Sequence, residues 1–205
     1  WPLVQCGLKP IFLDVNKDNF CLDEKLIDNK LQKEIKAILT IHILGNSSNI
    51  KKISEIAKKK NIYLIEDTCE ALGSKYENKY LGTFGDFGTY SFYYSHQITS
   101  GEGGMVTCNN PKDYEILFSL RSHGWLGGLM SYSRSMKTYN SYIKKNSKLA
   151  PRYIFTNSGF NLRPMDLNAS IGLNQFKKLD VFKSKRKKNR GLILKSLKSS
   201  INWNN

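Results

Sequence analysis

Apolar and polar positions recur along this chain with two different periods. Ala37 to Leu44 reads AILTIHIL, a β-branched apolar run stopped by Gly45 and Asn46, and predicts a buried strand. From Ser48 to Lys60, Ile50, Ile53, Ile56 and Ala57 fall on one helical face with lysines opposite, predicting an amphipathic helix. Ile62 to Ile65 is another apolar run and leads straight into Glu66 and Asp67. Lys9 to Val15 reads as a further strand, and Leu22 to Leu31 as a short helix. Strands alternating with helices argue for βαβ units, an α/β fold with a mainly parallel sheet. From Gly82 the texture changes. Gly85 to Tyr94 predicts a loop and a strand, Gly101 to Gly104 a turn, Met105 to Cys108 a short strand, and Tyr114 to Arg121 a helix. The polar stretch from Leu126 to Lys148, rich in serine and tyrosine, reads as a surface insertion or flap. Pro164 to Leu179 predicts a helix with proline in its first turn and Leu167, Ile171, Gln175 and Leu179 at turn spacing.

The 205 residues suffice for one ordinary domain or a piece of something larger, and 40% hydrophobic with 24% charged residues is a globular composition. No run approaches the ~18 apolar residues of a membrane span. Trp1-Pro2-Leu3 has neither a basic region nor a cleavable apolar segment, and the first methionine is Met105, so the chain reads as a fragment. Cys6, Cys21, Cys69 and Cys108 form no Cys-x-x-Cys pair and have no histidine at ligand spacing. Neither a metal site nor a disulfide framework is expected; reduced cysteines in a cytoplasmic protein are the plain reading.

The net charge of +15 raises the question of a nucleic-acid partner. Ten basic residues and one acid lie between Lys177 and Lys198, so the charge is concentrated there. Of the 32 basic residues 26 are lysines, and the run from Lys183 to Lys188 has no interleaved aromatics on which bases would stack. A solvated helical face is the expectation, not a nucleic-acid surface.

In open α/β sheets ligands bind beyond the carboxyl ends of the strands. Asp67 sits at such an end, with Glu70 three residues on; a carboxylate there equally suits capping of a following helix. Ser91, His96 and Gly101-Glu102-Gly103-Gly104 gather a hydroxyl, an imidazole and backbone N–H groups able to approach an anion. Taken singly, a histidine is more often structural than chemical.

Four ordered segments resemble one family: Glu66 to Ser74 (EDTCEALGS), Gly82 to Asp86 (GTFGD), Ser91-Phe92 through Gly101 to Gly104, and Gly159 to Met165 (GFNLRPM). They are similar to the DegT/DnrJ/StrS sugar aminotransferases, fold-type-I enzymes that use pyridoxal phosphate (PLP). The resemblance runs from about Pro10 to Phe182. Such enzymes are roughly twice this length. It therefore implies a fragment of the large domain, a mainly parallel sheet flanked by helices. Residues 1–180 would belong to the PLP-binding large domain, without its N-terminal phosphate loop, and 181–205 would begin the connection to a small C-terminal domain.

The resemblance also implies roles. Asp67 matches the acid that pairs with the pyridine nitrogen and keeps it protonated, making the ring an electron sink. Glu70 stands beside the cofactor's phenolic oxygen, where most members carry Gln or His and the dehydratase branch tends to carry an acid. Ser91 matches a phosphate-binding hydroxyl. Asn161 matches an asparagine that reaches the cofactor of the partner subunit, implying a homodimer.

His96 is the departure. Aminotransferases of the family have their Schiff-base lysine there, and this chain has no lysine between Lys79 and Lys112. Histidine at this place resembles the nucleotide-sugar 3-dehydratases, which hold the cofactor as pyridoxamine phosphate (PMP). Its amine condenses with the 4-keto group of a 4-keto-6-deoxy sugar, a base takes a proton from the cofactor's methylene, and the hydroxyl on carbon 3 leaves. An imidazole, with a reference pKa of ~6.5 against ~10.4 for lysine, suits the base's role. One kind of 3-dehydratase carries a cysteine-ligated iron–sulfur cluster after the helix that follows the glycine turn. Ser122 to Lys148 has no cysteine, and cluster ligation needs thiolates, so no cluster is expected. The other kind acts on GDP-4-keto-6-deoxy-D-mannose and regenerates the amine with glutamate; the resemblance is nearer to this one. Two other readings stay open: a sugar aminotransferase with a relocated lysine, and a PLP-fold protein that has lost catalysis and only binds.

Overall fold

The computed structural model describes residues 1–30, 34–127, 136–146 and 148–200. These fall into two compact units, Trp1–Tyr90 with Met105–Pro164, and Ser91–Gly104 with the chain from Met165 onward.

The first unit is built on a four-stranded sheet in the order β1 (Ala37–Ile41), β2 (Tyr63–Asp67), β5 (Phe87–Ser91), β6 (Gly104–Cys108). β1 and β2 run parallel with Ile38 opposite Leu64 and Ile41 opposite Asp67; β2 and β5 are also parallel, with Asp67 opposite Thr89. Alternation decides the faces: Ile38, Thr40, Leu64 and Glu66 are buried, whereas Leu39, Ile41 and Tyr63 on the other face stay exposed. α3 (Ile50–Lys60) covers the buried face. Asn49 caps it by accepting from the Lys52 amide, Asn61 ends it in a left-handed conformation (φ 54°), and Lys58, Lys59 and Lys60 meet the negative end of its dipole. Ile50 and Ile53 are fully buried; each contributes about 1.5–3 kcal/mol of hydrophobic stabilisation. They pack with Ile27, Ile38, Ile56, Leu64, Ala71 and Leu81 into one core.

Several elements differ from the sequence expectation. Lys9 to Val15 is no strand: Val15 makes an isolated bridge to Leu22, and Phe12 is 89% exposed, because among the described residues no strand lies alongside it to pair with. Pro2–Gln5 form a single helical turn, α1, and the expected helix from Leu22 is a 3₁₀ turn, Glu24–Leu26, followed by α2 (Ile27–Lys30). The first strand stops at Ile41, and Ile43–Gly45 turns as a 3₁₀ segment with Leu44 in a left-handed conformation (φ 53°). A hairpin of β3 (Lys75–Tyr76) and β4 (Lys79–Tyr80) turns through Glu77 and Asn78, both at positive φ. Glutamate is a poor predictor of that turn geometry, which hides it in the sequence. α4 (Pro111–Leu120) begins three residues earlier than expected, with Asn110 accepting from the Lys112 amide and proline at the first position. Within the expected flap, α5 (Met136–Lys145) is ordered by Tyr139, which packs with Leu126 and Ile154; residues 128–135 and 147 of that flap lie outside the described ones.

In the second unit the helix expected over Pro164 to Leu179 is α6 (Asp166–Phe176), and a further helix, α7 (Leu179–Ser200), follows it. The segment Ser91–Gly104 closes on itself: the Phe92 amide donates to the Gly103 carbonyl (2.8 Å), and the Ser100 amide to the Phe92 carbonyl (2.9 Å). Among the described residues, no helix is long and apolar enough to cross a membrane.

Candidate active site

The carboxyl end of β2 presents two acids on opposite faces. Glu66 is fully buried. Its Oε1 accepts from the amides of Phe84 (2.6 Å) and Gly85 (2.7 Å), and its Oε2 from the amide of Gly82 (2.8 Å) and from His42 Nε2 (3.0 Å). Burial alone pushes this carboxyl up, but the His42 hydrogen bond, the Gly85 and Gly82 amides and the His42 charge outweigh it and hold it below its ordinary value. An ionised Glu66 only accepts, so Nε2 of His42 carries the proton. Two segments are thereby tied to the end of β2: the chain after β1 and the Gly82–Gly85 loop.

Asp67, on the other face, is half-buried; its Oδ1 accepts from the Cys69 amide (3.1 Å), an Asx-type turn that ends the strand. It has no cationic partner among the described residues. The Cys69 thiol is pushed up to about 11, first by burial and then by the hydrogen bond and charge of Asp67. Glu70 reaches sideways: its Oε2 accepts from the Leu44 amide (2.7 Å), which fastens the left-handed Leu44 turn.

Ser91 and His96 belong to the second unit, whereas Asp67, Glu70 and Asn161 belong to the first. Ser91 ends β5, and its Oγ accepts from the Tyr93 amide (3.2 Å). His96 is half-buried, its amide donates to the Tyr93 carbonyl (3.1 Å), and its ring meets that of Tyr93 edge-on at 6.1 Å. The glycine turn after it is pinned by α6: Asn168 Nδ2 donates to the Ser100 carbonyl (2.7 Å), and Ser100 Oγ to the Glu102 carbonyl (2.9 Å). A side chain at Gly103 would be strained, since φ is 155° and a Cβ would lie 2.5 Å from Ser100 Oγ, which would have to move. Asn161 is exposed on an extended segment bridged to Ser122, between exposed Phe160 and Leu162.

Glu66, His42 and Asn168 organise these segments, yet composition and spacing do not single them out. The available signal for the first two was a histidine within one predicted strand and a glutamate just after the next. Among the described residues no cluster of His, Cys, Asp and Glu could hold a metal ion. The fit to a protonated pyridine nitrogen rests on Asp67: a half-buried carboxylate at a strand end, without a counter-cation of its own.

The sequence model of the DegT/DnrJ/EryC1/StrS aminotransferase family matches residues 2–202. A GDP-4-keto-6-deoxy-D-mannose 3-dehydratase of Escherichia coli O55:H7 is 35% identical over 97% of this chain and 50% of its own length. A solved structure of a GDP-4-keto-6-deoxymannose-3-dehydratase mutant with bound GDP-perosamine superposes with a TM-score of 0.83 at 34% identity, covering 97% of this chain and 50% of the other. Another, with a trapped PLP-glutamate geminal diamine, has a TM-score of 0.79 at 32% identity, covering 96% and 50%. The chain thus spans about half the length of the curated relatives it matches. Because that family model spans nearly all of it, the chain belongs to the DegT/DnrJ/EryC1/StrS aminotransferase family.

Proposed function

We propose that the protein of which this chain is part catalyses 3-dehydration of a GDP-linked 4-keto-6-deoxyhexose, a step of deoxysugar biosynthesis for surface polysaccharide. The observation that carries the reading is His96, an imidazole where the family's aminotransferases place a lysine. PLP/PMP, when bound, supplies the amine that condenses with the sugar's 4-keto group and the ring that absorbs the electron pair. Everything else falls to the chain. Asp67 would hold the proton on the ring nitrogen by charge. The Ser91 hydroxyl would donate to the cofactor phosphate. Glu70 would serve the phenolic oxygen, and its Oε2 accepts from the Leu44 amide. His96 would accept the proton released at the methylene carbon and deliver it to the departing 3-hydroxyl, which leaves as water. Without a lysine at this place, nothing in the segment competes to displace the bound sugar by an amine.

The reading extends to assembly and supply. Asn161 would reach the partner protomer's site in a homodimer, for which its exposure among apolar neighbours is suitable. Glutamate would restore the amine, and the relative trapped with PLP and glutamate supports that donor. No iron–sulfur cluster is invoked. We place the enzyme in the cytoplasm, and α7 as the lead into a small domain beyond this chain.

His96→Asn in the full-length protein is the test. PMP should remain bound, seen by its absorbance, while dehydration falls by ~10²–10⁴-fold or more. Full dehydration by His96→Asn at matched folded concentration overturns the reading. Borohydride reduction and mass spectrometry separate it from an aminotransferase: a lysine–PLP adduct in the wild-type protein would mean a relocated lysine.

A further inference from the structure

The basic run at the start of α7 is not uniform around the helix. Phe182, Lys185, Arg186 and Asn189 are spaced i, i+3, i+4 and i+7 and line a groove of about 320 Å³; Lys183, Lys187, Lys188 and Arg190 do not. The segment after β5 also lines it, through Tyr94, His96 and Thr99. Among the described residues no carboxylate lines this groove. Neither Lys185 nor Arg186 is held in an ion pair among the described residues. Its polar side chains are therefore cations, an imidazole, hydroxyls and amides, a donor-rich set that suits a polyanion.

We propose that Lys185 and Arg186 form the subsite for the diphosphate of the nucleotide-sugar substrate. This rests on the reading that His96 works at carbons 3 and 4 of the sugar. The diphosphate is attached at carbon 1 of the same ring, so it must lie within a few bonds of the atoms His96 serves. The same groove is lined by both cations and by that imidazole. Arg186 can grip two phosphate oxygens at once, and Lys185 adds a mobile point charge. The sugar's reacting carbons are then fixed from the end of the molecule that does not react.

Calorimetry on the cofactor-loaded full-length protein tests this with three probes: GDP, inorganic pyrophosphate and guanosine. Arg186→Ala and Lys185→Ala should each weaken GDP and pyrophosphate by about tenfold or more and leave guanosine within twofold. Lys188→Ala, off the groove, should change nothing. Wild-type GDP affinity should also fall steadily with added salt. Unchanged GDP affinity in both groove variants, or a flat salt profile in the wild type, overturns the subsite. The two ideas fail separately. A wild-type protein that dehydrates the sugar while the variants bind GDP normally removes the subsite alone. A protein that grips GDP through Arg186 but dehydrates nothing removes the reaction and keeps the subsite.

Discussion

His42 Nε2 lies 3.0 Å from Glu66 Oε2, and both side chains are fully buried. The pair joins the ends of two parallel neighbours, β1 and β2, and Glu66 also takes three backbone amides from the Gly82–Gly85 loop. Asp67 is the next residue on the strand, so whatever fixes Glu66 fixes the backbone that carries Asp67.

Glu66→Gln should destabilise the full-length protein by about 3–5 kcal/mol at neutral pH, the usual cost of breaking a buried charged cluster. The Glu66 carboxyl is held below its unfolded value, so its contribution is fully present above the ordinary carboxylate range and is lost as pH falls through the folded value. The gap between wild type and variant should therefore narrow under acid conditions. Denaturant melts across that range check it; a gap independent of pH would contradict an ionised Glu66.

Glu70→Ala removes the acceptor of the Leu44 amide while leaving the left-handed turn in place. Faster hydrogen exchange at Leu44 is expected, with a stability loss of about 0.5–1.5 kcal/mol. Unaltered exchange at that amide would show that Glu70 does not hold the turn.

With its pKa raised to about 11, the Cys69 thiol should resist alkylation at pH 8, where roughly one molecule in a thousand is thiolate. Asp67→Asn removes the charge that helps to raise it and should speed the reaction in the cofactor-free protein. Mass spectrometry of the Cys69 peptide reports the rate. Equal rates in both proteins would argue against a charged Asp67 beside the thiol.

Gly88 lets β5 pass against the backbone of Gly82, with which an added Cβ would collide. Thr107 Oγ1 donates to the Gly82 carbonyl (2.7 Å) at the same crossing. Gly88→Ala should lower stability by about 1–3 kcal/mol, read as a drop in melting temperature.

The sheet strands and α3 were legible in the sequence because each carries its own period. Ile50, Ile53 and Ile56 repeat at helical spacing, and AILTI and YLI are short apolar runs between polar breaks; such patterns follow from which face must leave water, and they need no partner to be seen. Asp67 and Glu70 were legible as acids at a strand end, and His96 as an imidazole beside a glycine turn. The resemblance, not the spacing, supplied their roles. Partner-dependent features were not legible. Lys9 to Val15 has the composition of a strand but no neighbour to pair with, so it remains unpaired. The Glu77-Asn78 turn takes a backbone conformation that glutamate does not advertise. Glu66 looked like one acid of two until folding brought His42 and three amides around it, from up to 24 residues away. The basic run showed only charge in the sequence; the groove that they line is what separates Lys185 and Arg186 from their neighbours. Local pattern encodes what each segment must bury, whereas a buried charge or a facing pair of cations is defined by segments distant in sequence, and only the tertiary structure brings those together.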